Sequence, residues 1–215
     1  MPGSDSGGRW PAAAASLVIG AVGRWRPAGT GTDGPLIVAV DGHGAAGKST
    51  IAELVAAATG ATLIHTDDFF VSPASGQRAA GEAVGRYYDW RRLRAQALQP
   101  LREGRSASFR RFDWDRGSGL DGTVRAVPGD VVIVEGVFSA APVLADLVSR
   151  SVFVDTPEPE RLRRLRGRVA PEDWDDDWLS AERAYFSTVR PLTSFDLAVS
   201  GSDPVLPGSE AVTCA

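Results

Sequence analysis

Several short runs along this chain are apolar on both faces of an extended backbone and too short to be helices. They are PLIVAVD (35–41), ATLIHT (61–66), VVIVE (131–135) and SVFVD (151–155), with DLAVS (196–200) as a last candidate. Two-sided apolar, β-branched runs suit strands of a parallel sheet that helices cover on both sides. Helical patterning fills the intervals at 51–58, ending at Gly60, and at 89–102, 140–148, 158–169 and 174–189. The stretch from 107 to 127 alternates and carries turn residues, which predicts a small antiparallel excursion. The expected fold class is therefore α/β, a doubly wound and mostly parallel sheet.

The edges of the chain read differently. Residues 1–10 and 27–34 are rich in Gly, Ser and Pro, as tails and linkers are. Between them PAAAASLVIGAVG (11–23) predicts a helix packed on the edge of the domain. It runs into Arg24-Trp25-Arg26 with no small-residue cleavage site, so a signal peptide is not expected. The expected division is 1–34 as tail, edge helix and linker, 35–203 as the main domain, and 204–215 as a C-terminal tail.

Composition narrows the class of protein. A chain of 215 residues with 43% hydrophobic content can bury one sizeable core. A net charge of -4 argues against a broad nucleic-acid footprint, and no apolar run is long enough to span a membrane. The one cysteine, Cys214, has no partner within the chain, which fits a reducing, cytoplasmic setting or sets no constraint at all; a cytoplasmic setting is the expectation. Homo-oligomerisation is left open. The cations are 22 arginines and one lysine, Lys48.

That lysine stands in GHGAAGKST (42–50), which matches the Walker A pattern between an expected strand and an expected helix. Such a P-loop seats a nucleoside triphosphate: Gly42, His43, Gly44, Ala45, Ala46 and Gly47 turn backbone N–H groups inward, and the helix start adds its positive dipole end. Lys48 supplies a slim point charge for the phosphates, where a planar guanidinium would be too wide. Ser49 offers a hydroxyl to Mg²⁺, and Thr50 continues the loop into the helix. ATP and Mg²⁺ are thus the expected cofactors. The chain contains no asparagine, which removes both a GTPase-type base reader and the catalytic-loop asparagine of a protein kinase.

Acidic and cationic groups stand where such a loop needs partners. Asp67 and Asp68 end the 61–66 strand, beside the P-loop strand in the expected sheet, and Glu135 ends VVIVE just before Gly136. Carboxylates at strand C-termini face the ligand crevice of an open α/β sheet, where one can take a proton from a hydroxyl or help to hold Mg²⁺. The alternative for the aspartates is capping of the next turn. In the 158–169 helix Arg161, Arg164 and Arg168 share one face, with Leu162, Leu165 and Val169 on another. This predicts a lid that brings guanidiniums over a transferring phosphoryl group. A solvated face neutralised by EDWDDDW (172–178) is the alternative. Tyr87, Tyr88, Trp90, Phe112 and Trp114 either floor a flat ring or pack the core, with Tyr87 and Trp90 leaning toward core.

The ordered blocks GHGAAGKST, TDDFF, YYDW, RFDW, VVIVEG and FVDT, followed by an arginine-rich helix, resemble the uridine kinase and phosphoribulokinase group of P-loop kinases. The resemblance runs from about Leu36 to Asp203. It implies Asp67 as general base, a magnesium environment of Ser49, Asp67 and Glu135, Phe70 packed on the substrate and Asp89 bonded to sugar hydroxyls. It also places Asp68, Tyr88, Phe112, Trp114 and Arg161 on the acceptor side, and Arg164 and Arg168 on the donor side. The chain departs from the group where uridine kinases carry a pyrimidine-reading histidine: Phe112-Asp113-Trp114 is followed by Asp115-Arg116-Gly117. The histidines are His43, expected to line the loop, and His65, expected at a strand end.

The expected activity is transfer of the ATP γ-phosphoryl group to a primary hydroxyl of a small molecule, with a nucleoside such as uridine or cytidine first. Another hydroxylated metabolite (pantothenate, a vitamin nucleoside or a natural product) is the alternative acceptor. A regulator that binds nucleotide without transfer is the alternative class.

Overall fold

The computed structural model describes residues 9–26, 34–71, 87–167 and 176–203. Its centre is a five-stranded parallel sheet in the order β2-β5-β1-β6-β7. The strands are β1 (Leu36–Asp41), β2 (Thr62–His65), β5 (Val131–Glu135), β6 (Arg150–Asp155) and β7 (Leu197–Ser200). Between β2 and β5 the chain makes a separate antiparallel hairpin, β3 (Ala107–Phe112) with β4 (Leu120–Ala126). The α/β architecture and the hairpin follow the hydrophobic pattern closely.

The sheet is covered on both sides because its strands are apolar on both sides. In β1, Ile37 and Ala39 face one core layer while Leu36, Val38 and Val40 face the other. β5 divides the same way, Val132 and Val134 against Val131 and Ile133. Burying one branched aliphatic side chain contributes about 1.5–3 kcal/mol, so a two-faced strand gains twice what a half-exposed one does. The second layer is closed by α1 (Trp10–Trp25) and α2 (Lys48–Thr59). From α1, Ala14, Ala15, Val18 and Val22 pack there with Ile51 and Val55 of α2. The first layer holds the aromatics, with Phe69, Tyr87, Phe138 and Tyr185 fully buried.

Two segments differ from the helical pattern. Residues 140–148 form only a 3-10 turn at Pro142–Leu144 with hydrogen-bonded turns after it, not a helix. The N–H of Ala140 is taken by the Asp41 carboxylate at 3.0 Å, and the chain must reach β6 within a few residues. The 89–102 helix is capped by Asp89, begins as α3 (Trp90–Arg92), widens to a π-helix at Leu93–Leu98 and closes as α4 (Gln99–Arg102). Pro100 explains the widening: it has no N–H to give the Gln96 carbonyl and its ring crowds the preceding turn.

α5 (Glu158–Arg166) follows β6, and α6 (Asp176–Ala184) runs on as a π-helix at Tyr185–Val189. The buried residue of α5 is Arg161, whereas Leu162 and Leu165 are only half-buried, so the expected apolar anchor is the smaller part of its contact. Val169 and Arg168 lie outside the described residues. No helix among the described residues is long and apolar enough to cross a membrane.

Candidate active site

β1 ends in Asp41, and this buried carboxylate organises the crevice. It accepts from the N–H of Gly42 at 2.7 Å, Phe138 at 2.9 Å and Ala140 at 3.0 Å, and from the Tyr185 hydroxyl at 2.9 Å. Burial pushes its carboxyl above the ordinary range, while the backbone donors, Lys48 and Tyr185 oppose that rise. One carboxylate thus ties the start of the phosphate loop to the turn after β5 and to the helix after α6. The sequence reading missed both partners; a lone acid closing PLIVAVD was the available signal.

From Asp41 the chain enters the loop. Gly42 has φ +145°, and a Cβ there would stand 2.6 Å from the carbonyl oxygen of Val154. Gly47 has φ +98°, and a Cβ would stand 2.4 Å from the Trp10 ring. α2 starts at Lys48 with Gly47 as its cap and, among the described residues, no side chain capping its first turn. Those amides are the anion-binding end of a twelve-residue helix. The Lys48 side chain is 7% exposed, with Nζ donating to the His43 carbonyl at 2.8 Å. Gly47→Ala combines a strained φ with a steric clash, so it is expected to cost about 1–3 kcal/mol or more and lower the melting temperature. An unchanged melting curve would count against this reading of the loop.

A second buried carboxylate braces the loop from α6. Glu182 accepts from the Gly44 N–H at 3.0 Å and from the Trp178 indole at 2.5 Å, and lies 3.0 Å from the His43 ring. Burial alone would raise its carboxyl, but the His43 ring, the Lys48 charge and the Gly44 amide hold it below the usual range. The sequence reading overlooked Glu182. Its visible signal was the Glu182/Tyr185 spacing, which puts both on one face of a helix.

On the other side of Lys48 lie the acidic groups. Ser49 Oγ donates to both Glu135 oxygens at 3.2 Å, and His65 Nδ1 lies 2.6 Å from Glu135 Oε1. That contact raises the His65 pKa against the opposing effect of burial. Gly136 permits close approach: a Cβ there would be 1.8 Å from Thr66 Oγ1. Asp67 sits in the 3-10 turn Thr66–Phe69 after β2. β2 is not beside the P-loop strand, as the sequence suggested; β5 lies between them. The order follows from register, since Thr62–His65 pairs along Val132–Glu135 and brings His65 level with Glu135.

Solvent reaches Asp67, yet the crevice walls crowd it. The resulting desolvation pushes its carboxyl above the ordinary range; the Tyr88 hydroxyl, bonded to Oδ1 at 2.9 Å, pulls it back, Glu135 raises it and Lys48 lowers it. Asp68 is raised as well, chiefly by desolvation.

The aromatic residues divide between core and crevice wall. Tyr87 and Trp90 are core residues. Phe70 meets Trp114 at 4.9 Å, Phe112 at 5.2 Å and Tyr88 at 6.1 Å between ring centres, and Trp178 at 6.4 Å. Trp114 is 57% exposed, so this wall presents an aromatic face to solvent. Asp89 caps the 90–102 helix, accepting from the Arg92 N–H at 3.0 Å. Arg161 is buried against the loop, its Nε without a hydrogen-bond partner among the described residues and Nη1 3.5 Å from the Gly44 carbonyl. Arg164 reaches the carbonyls of Ala45 at 3.2 Å and Gly201 at 2.9 Å. Arg163 and Arg164 both pair with Glu160 on their own helix, which holds the Glu160 pKa down at about 2.

The residues fit the groups expected here. Glycines whose Cβ atoms would collide with their surroundings, with first-turn amides and a buried guanidinium nitrogen that have no side-chain or hydrogen-bond partner among the described residues, suit a polyphosphate. Ser49 and Glu135 offer hard oxygens, and among the described residues no three His, Cys, Asp or Glu groups gather into a metal cage. That pattern suits Mg²⁺, which takes one or two protein ligands and leaves the rest to phosphate and water.

A Walker A-type loop between the central parallel strand and α2, under a cationic helix, suits a nucleoside triphosphate, and relatives named uridine kinase support the class of P-loop kinases. Within that class the chain is similar to members of the uridine kinase and phosphoribulokinase group. A uridine kinase from Streptococcus agalactiae serotype V is 27% identical over 168 residues, 74% of this chain and 78% of that protein. A possible uridine kinase from Bacillus stearothermophilus superposes with a TM-score of 0.63 at 18% identity, covering 87% of this chain and 98% of that one. The D-glycerate 3-kinase of Cryptococcus neoformans var. grubii gives 0.53 at 14% identity, covering 93% and 98%. No family model matches the chain.

Proposed function

We propose that the protein transfers the γ-phosphoryl group of ATP to a primary hydroxyl of a small molecule, with a pyrimidine nucleoside as the leading acceptor. The observation carrying this reading is Asp67, an exposed carboxylate of raised pKa that accepts from the Tyr88 hydroxyl at 2.9 Å, feels the Lys48 charge and starts the turn leading to Phe70. A hydroxyl placed on that wall gives its proton to Asp67 as its oxygen bonds to the γ-phosphorus. The bond from that phosphorus to the β,γ-bridging oxygen breaks, and ADP leaves. Lys48 and the first-turn amides of α2 hold the phosphates; Arg161 and Arg164 balance charge from α5. Mg²⁺, held by Ser49 with Glu135 and Asp67 nearby, would neutralise charge on the β- and γ-phosphates.

Phe70 and the exposed Trp114, tilted 35° to each other with the buried Phe112 edge-on behind them, offer an apolar face suited to a ring, and Asp68 and Asp89 adjoin the Phe70–Tyr88 bridge as the proposed partners of sugar hydroxyls. No histidine stands on this wall: His43 and His65 are engaged with Glu182 and Glu135. That absence favours the second reading, a kinase of another hydroxylated metabolite. The discriminating experiment offers uridine, cytidine and 5′-deoxyuridine with ATP and follows products by mass spectrometry. The nucleoside reading expects a monophosphate from the first two and none from 5′-deoxyuridine. ADP formation with pantothenate or another alcohol, but with neither nucleoside, would move the assignment to the second reading.

Tyr88→Phe provides a pH test of the Asp67 role. The Tyr88 hydrogen bond lowers the Asp67 pKa, so its removal leaves the carboxyl more easily protonated. A base must be ionised to act, so the acid limb of the kcat/KM profile should move to higher pH in the variant. A limb that stays in place or moves down would separate Tyr88 from the base.

A further inference from the structure

We propose that His65, at the end of β2, is a positioning residue for magnesium: it holds Oε1 of Glu135 and so leaves Oε2 for the metal. The inference rests on the kinase reading above and deepens it, since that reading gives His65 no role. Two side chains fix the carboxylate from opposite sides. His65 stands level with Glu135 in the parallel pairing of β2 and β5, and its Nδ1 lies 2.6 Å from Oε1. Ser49 Oγ reaches both oxygens from α2, at 3.2 Å each. Among the described residues Oε2 has no other partner than that hydroxyl. Glu135 is 4% exposed, whereas His65 is half-buried at the rim of the crevice.

A carboxylate only accepts hydrogen bonds, so Nδ1 is the donor in this pair. The short distance is that of a bond to a charged acceptor. A glutamate side chain has many rotamers, and a metal that had to freeze them itself would bind more weakly. An outer partner that orients a ligating carboxylate removes that cost in advance. The serine alone cannot do so. Once Ser49 gives a lone pair to the metal, its single proton serves one carboxylate oxygen at a time, whereas His65 keeps Oε1 throughout. The backbone brings the two strand ends close enough for this: Thr66 Oγ1 stands 1.8 Å from where a Cβ on Gly136 would be, a place that glycine leaves open. Packing at the end of β2 would be met by an aliphatic residue; it gives no reason for a ring nitrogen at bonding distance from Oε1.

The test reads the metal through nucleotide binding. Affinity for the non-hydrolysable analogue β,γ-imido-ATP is measured by calorimetry, once with Mn²⁺, an oxygen-seeking stand-in for Mg²⁺, and once with EDTA. The ratio of the two is the gain due to metal. His65→Leu should lose roughly ten-fold or more of the wild-type gain and change binding in EDTA less than about two-fold. His65→Asn puts an amide N–H where Nδ1 stands and should keep the gain. His65→Gln carries its amide to the place of Nε2 and should lose it as leucine does, which keeps the test valid if the leucine variant does not fold. An unchanged gain in His65→Leu and His65→Gln would overturn the proposal. So would equal weakening with and without metal, because His65 would then only shape the site, and so would a wild type without any gain. The kinase reading fails separately, if wild type binds ATP with metal but releases no ADP with any acceptor.

Discussion

Asp67→Asn leaves ATP binding close to wild type and lowers turnover by about 10²–10⁴-fold, the contribution of a positioned general base. The amide keeps the size and one hydrogen-bond acceptor of the carboxylate, so Tyr88 can still donate to it, but it cannot take a proton. Desolvation and the Glu135 charge raise the Asp67 pKa, while Tyr88 and Lys48 keep that rise in check. A base tuned this way lies closer to working pH than a solvated aspartate. Binding is read by calorimetry and turnover by ADP release. Normal turnover in Asp67→Asn would take Asp67 out of the chemistry.

Lys48→Arg conserves charge and should still reduce transfer by on the order of 10²–10³-fold, comparable to removing one stabiliser of transition-state charge. The reason is space. Lys48 is 7% exposed, its ammonium 2.8 Å from the His43 carbonyl inside the loop. A guanidinium is planar, wider and fixed in its fork, so it must push out the loop backbone to occupy the same place. The same argument explains why a chain with 22 arginines keeps lysine here. On α5, in contrast, Arg161 and Arg164 approach the loop carbonyls from outside, where a fork has room. Near-normal activity in Lys48→Arg would contradict this distinction.

The fold was largely legible because the strands announce themselves. A run apolar on both faces, such as VVIVE, can only be a doubly covered strand or a short buried helix segment, and flanking glycines and acids decide between them. The 140–148 segment was misread because its length before β6 is set by where the chain joins the sheet, with Ser149 N bonded to the Ile37 carbonyl, and no local pattern carries that. The placement of β2 beside β5 was hidden for the same reason, since strand order depends on pairing across the chain.

The phosphate loop was legible because its chemistry needs contiguous residues. Its braces were not. Asp41, Glu182 and Tyr185 come from β1, α6 and the π-helix that extends it, and meet only in the folded chain. Trp10 is a further case: in sequence it closes a Gly- and Ser-rich tail, and in the structure it lies on Gly47.

The most direct measurement is ADP release by the purified wild-type protein with ATP and Mg²⁺, with and without a broad panel of nucleosides and other hydroxylated metabolites. The account predicts that at least one acceptor raises ADP production well above background and appears as its phosphate ester. ATP binding without acceptor-dependent ADP across the whole panel would contradict it and leave a nucleotide-binding regulator in its place.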